Sequence, residues 1–299
     1  MVRMQERSPA GGCKSCWKGA TRQGLRRGST SRSPSMKWHE ALAPARCGTD
    51  PFAGDAPMMF YEDHGSEVFF QPGRSDYLVI TFSELTQRPN GRTFWGSVPL
   101  QHLGIPAVGF VAKRARWFAD TFVRRALAAA RPKMEGYARR ITYGFSMGAY
   151  GATRHAGVLG AQTTIACSPQ WTIEPAKLQG IGQPFARHFR EDKHVGMELT
   201  SYPADGRLYL LYDPYDRHDA WHADRISEHI AQTVRVPMPF VGHGSVRPFA
   251  NTTLMALLIE AARSHDDELV RRAARHARRK YSGREELVMK ARAARSNRF

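Results

Sequence analysis

The chain has 299 residues, 42% of them hydrophobic and 10% aromatic, which is enough for one sizeable core and a common length for a single α/β domain. Its formal net charge is +17, but residues 1–47 carry +8 and residues 263–299 carry +7, leaving +2 between them, so a nucleic-acid reading finds little support in the central part. No stretch reaches the apolar length of a membrane span, the N-terminus lacks the apolar region of a secretory signal, and the four cysteines form no disulfide framework, so a reducing cytoplasm is the expected setting.

Residues 1–57 are rich in Arg, Ser, Gly and Pro without apolar periodicity. Such a composition buries too little surface to offset chain entropy, and the segment reads as a disordered, basic leader. Few acids and many Arg and Ser would also suit a targeting peptide, and Met36 or Met58-Met59 would suit a later start. Cys13 and Cys16 form a C-x-x-C, but no second pair follows at zinc-ribbon or finger spacing. Order is expected from about Met59.

Val68–Phe70 and Tyr77–Phe82 read as strands, with Pro72-Gly73-Arg74-Ser75 as the turn between them. The second run is apolar nearly throughout, as an inner strand covered on both faces requires. Residues 83–96 are irregular, and Ala107–Ala112 is the next strand. Arg116–Arg131 predicts a helix with Phe118, Phe122, Ala126 and Ala129 on one face. Ile141-Thr142-Tyr143 predicts a short buried strand, followed by Gly144-Phe145-Ser146-Met147-Gly148 and a small-residue helix start. Ala161–Cys167 is a further strand, with Cys167 as a core thiol. Residues 168–205 are irregular and contain Pro169, Pro175, Pro184 and Pro203. Leu208–Tyr212 predicts a strand, Ala220–Val234 a helix, Val236–Val241 a last short strand and residues 248–263 a helix. The alternation implies a mostly parallel sheet with helices on both faces. Residues 264–299 form a basic helical tail whose weak apolar face is Leu269, Val270, Ala273, Ala274 and Ala277. It reads as a solvated helix, with an anionic partner (nucleic acid or an acidic membrane surface) as the alternative.

The chemistry centres on G-x-S-x-G between strand and helix. A serine on so tight a turn takes up a strained backbone, and a β-carbon at Gly144 or Gly148 would collide with a neighbouring element. The turn would present the Ser146 hydroxyl above the sheet edge, at a helix N-terminus able to bind an oxyanion. A serine nucleophile needs a base and the base an orienting carboxylate. Two later strand ends supply them: Asp213-Pro214-Tyr215-Asp216 and Gly242-His243-Gly244-Ser245.

With G-F-S-M-G, YLLYDPYD and FVGHGS in this order, the chain resembles the α/β-hydrolase superfamily over roughly residues 66–263. The resemblance implies an α/β-hydrolase fold with Ser146 as nucleophile, His243 as base and Asp216 as orienting acid. The family's acid usually lies a few residues past its strand, which favours Asp216 over Asp213; Asp213, before a proline, would then fix the turn. It also implies an oxyanion hole built on the Met147 amide. A second donor would come from the loop after Tyr77–Phe82, with Ser83 as first candidate and Glu84 behind it. No His-Gly run follows that strand, which counts against lipase-type activity.

His218, Asp219, His222 and Asp224 cluster near the acid loop. A divalent metal there competes with the plainer reading of a solvated helix start. His155 reads as structural, and Trp95, Trp117 and Trp171 as pocket or packing residues. Residues 171–205 stand where hydrolases insert a cap, and Arg187, His188, Arg190, Lys193 and His194 would make it basic, suiting an acidic or phosphorylated substrate or a wet surface. No G-x-G-x-x-G follows an early strand, so no cofactor is expected. The expected activity is hydrolysis of an ester, thioester or amide, the substrate being a small-molecule, carbohydrate or acyl ester. Acyl transfer on the same residues and a non-catalytic binding protein of the same fold are the alternatives.

Overall fold

The computed structural model describes residues 56–178, 181 and 184–296. The expectations for residues 1–55, including the Cys13/Cys16 pair, lie outside the described residues. Eight strands form one sheet: β1 Met58–Glu62, β2 Ser66–Gln71, β3 Tyr77–Phe82, β4 Ala107–Ala112, β5 Arg139–Phe145, β6 Thr163–Cys167, β7 Arg207–Tyr212 and β8 Thr233–Pro237. Their order across the sheet is β1-β2-β4-β3-β5-β6-β7-β8. The pairs β1/β2 and β2/β4 are antiparallel and every other pair is parallel. The chain leaves β3 for β4 on one side and returns to β5 on the other. That reversal opens a crevice at the carboxyl ends of β3 and β5, where open α/β sheets place their ligands.

Alternation along the inner strands builds two cores. Leu78, Ile80 and Phe82 of β3 point to one face with Val108 and Phe110, under α2 Asp120–Met134, α3 Met147–Arg154 and α5 Arg217–His229. Tyr77 and Val79 point to the other with Ile141, Tyr143, Ile165 and Tyr209, under α6 Thr252–Arg263 and α7 Asp267–Lys280. Both faces of β3 to β7 are covered, which accounts for their nearly unbroken apolar character.

Several elements differ from the sequence reading. The edge strand β1 and the six-residue helix α1 Ser97–His102 were unexpected; both are short, and α1 contains Pro99. The helix expected from Arg116 starts only at Asp120, because Trp117 and Phe118 take positive φ angles of 46° and 47°. Its buried face is Val123, Ala126, Leu127 and Ala130, and the side chain of Phe122 lies outside the described part. The last strand is Thr233–Pro237 rather than 236–241, and α5 stops at His229. Val234 and Val236 face the core while Arg235 and Pro237 face out, as on an edge strand. Residues 241 and 242 leave the sheet because their amides bind the Asp213 carboxylate. The tail is not loose near its start: Val270, Ala274 and Ala277 of α7 are fully buried. A further helix, α8 Gly283–Ser296, follows.

Candidate active site

Ser146 stands between β5 and α3 with φ 53° and ψ −121°, a conformation costly for any residue with a side chain, of order 1–3 kcal/mol. The packing that holds it is visible at the two glycines. A β-carbon on Gly144 would lie 2.3 Å from the Gly148 carbonyl oxygen, and one on Gly148 would lie 2.2 Å from the Phe82 carbonyl oxygen. The Ser146 amide donates to the Cys167 carbonyl at 2.8 Å, tying the turn to β6. Ser146 is thereby fixed at the head of α3, 3% exposed.

The Ser146 hydroxyl meets His243 Nε2 at 3.0 Å, and His243 Nδ1 meets Asp219 Oδ1 at 2.7 Å. The carboxylate on the imidazole is therefore Asp219, not Asp216 as expected and not Asp213. Asp216 is used otherwise: it is the N-cap of α5, its Oδ1 accepting from the amides of His218 and Asp219. That cap starts α5 at Arg217 and sets Asp219 in its first turn, facing His243. Asp213 is 3% exposed and also has another task. Its Oδ2 accepts from the Val241 and Gly242 amides at 2.8 and 2.7 Å, and its Oδ1 from Tyr215. It clamps the loop that carries His243 to the end of β7.

Burial opposes the charged form of His243, but the hydrogen bond and charge of Asp219, with the charge of Asp216, outweigh it. The His243 pKa is raised on balance. The neighbouring His222 is driven the other way, to about 3, by burial and by the like charges of His243 and His218. Its Nδ1 accepts from the Trp171 amide at 3.1 Å, so the proton of the neutral ring is on Nε2.

The Met147 amide is the first of α3 and points out of the helix start, where an oxyanion would be received. The Ser83 expectation is corrected. Its amide donates to the Phe110 carbonyl at 2.8 Å, one rung beyond the end of β3, and its hydroxyl accepts from Ala112. The next amide, Glu84, makes no hydrogen bond among the described residues. Above the imidazole, the rings of Phe145 and Phe185 lie 5.3 and 5.4 Å from His243. Phe185 comes from the irregular segment after β6 and packs on Trp117 at 5.6 Å.

No protein-family model and no curated protein matches the chain. Among solved structures it is similar to mouse alpha/beta hydrolase domain-containing protein 10, at 12% identity and TM-score 0.51, over 72% of this chain and 99% of that one. The chain has the α/β-hydrolase fold. A glycosylation-associated protein complex from Streptococcus agalactiae matches at 16% identity and TM-score 0.51, over 69% of this chain and 46% of that one. The capsule O-acetyltransferase of Neisseria meningitidis serogroup A matches at 10% identity and TM-score 0.49, over 73% of this chain and 95% of that one.

Within this α/β-hydrolase fold the remaining singled-out residues find structural places. His155 bonds the Phe118 carbonyl at 2.8 Å and is buried. His194 accepts from the Arg190 amide and meets the Arg116 carbonyl, tying the segment after β6 to the strand-end loop before α2. Trp117 is fully buried with its indole N–H on Gln170, Trp95 packs edge-on against Tyr143, and Trp171 edge-on against Trp221. His218 and His222 lie in the first two turns of α5, and among the described residues no group of three or more His, Cys, Asp or Glu is placed to hold a metal ion. No helix among them is long and apolar enough to cross a membrane.

Proposed function

We propose that the chain is a serine hydrolase acting on an ester, thioester or amide, with Ser146 as nucleophile, His243 as general base and Asp219 as the carboxylate that orients it. What carries the reading is one hydrogen-bonded line, Ser146 Oγ to His243 Nε2 at 3.0 Å and His243 Nδ1 to Asp219 at 2.7 Å. Its nucleophile is held in a strained conformation at a helix N-terminus. The Oγ attacks the carbonyl carbon as its proton passes to Nε2, and the developing oxyanion is received by the Met147 amide. The Glu84 amide takes the second-donor place that Ser83 cannot fill. Collapse expels the leaving group, which takes the proton from His243 and leaves an acyl ester on Ser146. His243 then deprotonates a water that attacks that ester, releases the acid and restores the hydroxyl.

Asp219 holds the imidazole with Nε2 free for the serine and stabilises the transient imidazolium. Asp219 lies in the first turn of α5, where the positive end of the helix attracts an anion. Phe145 and Phe185 cover the ring and reduce access of water, with residues 171–205 acting as a small cap. A fluorophosphonate probe tests the reading. Stoichiometric labelling of the wild type, lost in Ser146→Ala, is expected. Absence of labelling would favour a binding protein of the same fold. Released acid measured with and without added alcohol separates hydrolysis from acyl transfer.

A further inference from the structure

The loop after His243 doubles back sharply. The Ser245 amide donates to the His243 carbonyl and the Arg247 amide to the Gly244 carbonyl, both at 2.9 Å. The turn folds the Arg247 side chain over its own loop. Its Cδ and Nε lie 2.8 Å, and its Cγ 3.2 Å, from the place a β-carbon on Gly244 would occupy. Glycine at 244 thus makes room for an arginine stem one residue from the base. Arg247 is exposed, and its guanidinium has no carboxylate partner among the described residues. It is close enough to act on the His243 charge, against which Asp219 and Asp216 pull the other way. The nearby acids do not neutralise it: Asp219 is bonded to the imidazole, Asp216 to the α5 amides and Asp213 to the amides of Val241 and Gly242.

The basic character of the cap does not supply this charge in the same way. Arg190 and Lys193 are both paired with Asp192, His194 is buried between backbone groups, and Arg187 turns its Nε–H onto the neighbouring His188 ring, on the cap rather than on the loop of the base. The one guanidinium standing open on the loop of the base is Arg247.

We infer, on the serine-hydrolase reading above, that Arg247 is a specificity residue that receives an anionic group, a carboxylate or a phosphate, on the leaving-group portion of the substrate. The side follows from the chemistry: His243 returns its proton to the leaving oxygen, so the departing half lies beside the imidazole, on whose loop Arg247 stands. A planar guanidinium with five donors suits either oxyanion bidentately, whereas a lone ammonium acts as a point charge.

The test compares acetyl esters that differ only in the charge of the departing phenol: para-acetoxybenzoate, para-acetoxyphenylphosphonate and the neutral para-acetoxybenzamide. The readout is the ratio of kcat/KM for each anionic ester to the neutral one, in the wild type, Arg247→Gln and Arg247→Lys. Intrinsic reactivity and partial misfolding cancel in the ratio. Arg247→Gln is expected to lower it about tenfold or more for the anion that is recognised, mainly through KM, and Arg247→Lys to restore part of it. The wild-type ratio should fall as salt is raised. The arm that responds tells carboxylate from phosphate. Turnover of all three esters with a ratio that Arg247→Gln leaves unchanged in both arms overturns the assignment while the hydrolase reading stands. No turnover of any ester, together with no fluorophosphonate labelling, overturns both.

Discussion

Replacing Asp219 by asparagine keeps the shape of the side chain and removes its charge, and this is where the proposed chemistry is most exposed to refutation. Asp219 is 2% exposed at its side chain and lies 2.7 Å from His243 Nδ1. No water can take its place, and an amide offers its N–H where the ring needs an acceptor. In serine proteases the equivalent change costs about 10⁴-fold in kcat, close to 5 kcal/mol of transition-state stabilisation, and the same order is expected here. The pH profile supplies a second reading. The His243 pKa is raised because Asp219 and Asp216 outweigh burial, so the active neutral base is lost on the acid side below that raised value. Removing the Asp219 charge lowers the pKa, and the acid limb of kcat/KM should move to lower pH. In stability the sign is opposite. The raised pKa stabilises the fold below the unfolded value of about 6.5 and stops doing so as pH rises through the folded pKa, so Asp219→Asn should lose stability on the acid side. Asp216 is the control. Asparagine caps a helix as well as aspartate, so Asp216→Asn should leave the rate within about tenfold, and Asp216→Ala should cost about 1 kcal/mol of stability. Activated-ester kinetics across pH on the three variants decides. A rate for Asp219→Asn within tenfold of wild type, or an equal loss in Asp216→Asn, would refute the assignment of the carboxylate.

Ser146→Gly should abolish labelling yet raise stability by about 1 kcal/mol, because relief of about 1–3 kcal/mol of strain exceeds the added freedom of glycine in the unfolded chain; a lower thermal midpoint than wild type would contradict this. His222, with its pKa driven down to about 3, must be charged when the protein unfolds in acid. It should cost about 3 kcal/mol of stability by roughly pH 4.5, growing as pH falls from about 6.5. Urea melts of His222→Gln at both ends of that range should show a flatter slope, and an unchanged slope would count against it. Asp213→Ala leaves three amides without their acceptor and should destabilise by about 3 kcal/mol or more while lowering kcat through the displaced histidine loop. Denaturation and ester kinetics together check it, and retention of both would show that the clamp is dispensable.

The elbow was legible because its demands are local. Only small residues fit at positions 144 and 148, and the chain declares them within five residues. His243 was legible from its place just past a strand pattern, although the strand itself ends four residues earlier than its apolar run. Asp219 was missed because three aspartates, 213, 216 and 219, follow β7 at intervals of three, and proximity to the strand end does not rank them. A signal was present. Asp216 and Asp219 stand at N-cap and N3 spacing, the pattern of a capped helix start, and a residue whose carboxylate is occupied by helix amides is not free to hold an imidazole. Ser83 failed for a similar reason. Its amide looks free at the end of β3, but the parallel ladder with β4 continues for one more rung and takes it.

The three aspartates also explain how an imidazole can be held on a loop without help from a long strand. Asp213 fixes where the loop leaves the sheet, through the amides of residues 241 and 242. Asp216 fixes where α5 begins. Asp219 joins the two by accepting from the ring between them. The position of His243 is therefore set by the ends of β7 and α5 rather than by the length of β8, a short edge strand with alternating exposure. Fraying of β8 should then cost stability at the sheet edge before it disturbs His243. Loss of either structural aspartate should do the reverse, moving the histidine loop or the helix start while leaving the strand ladder intact.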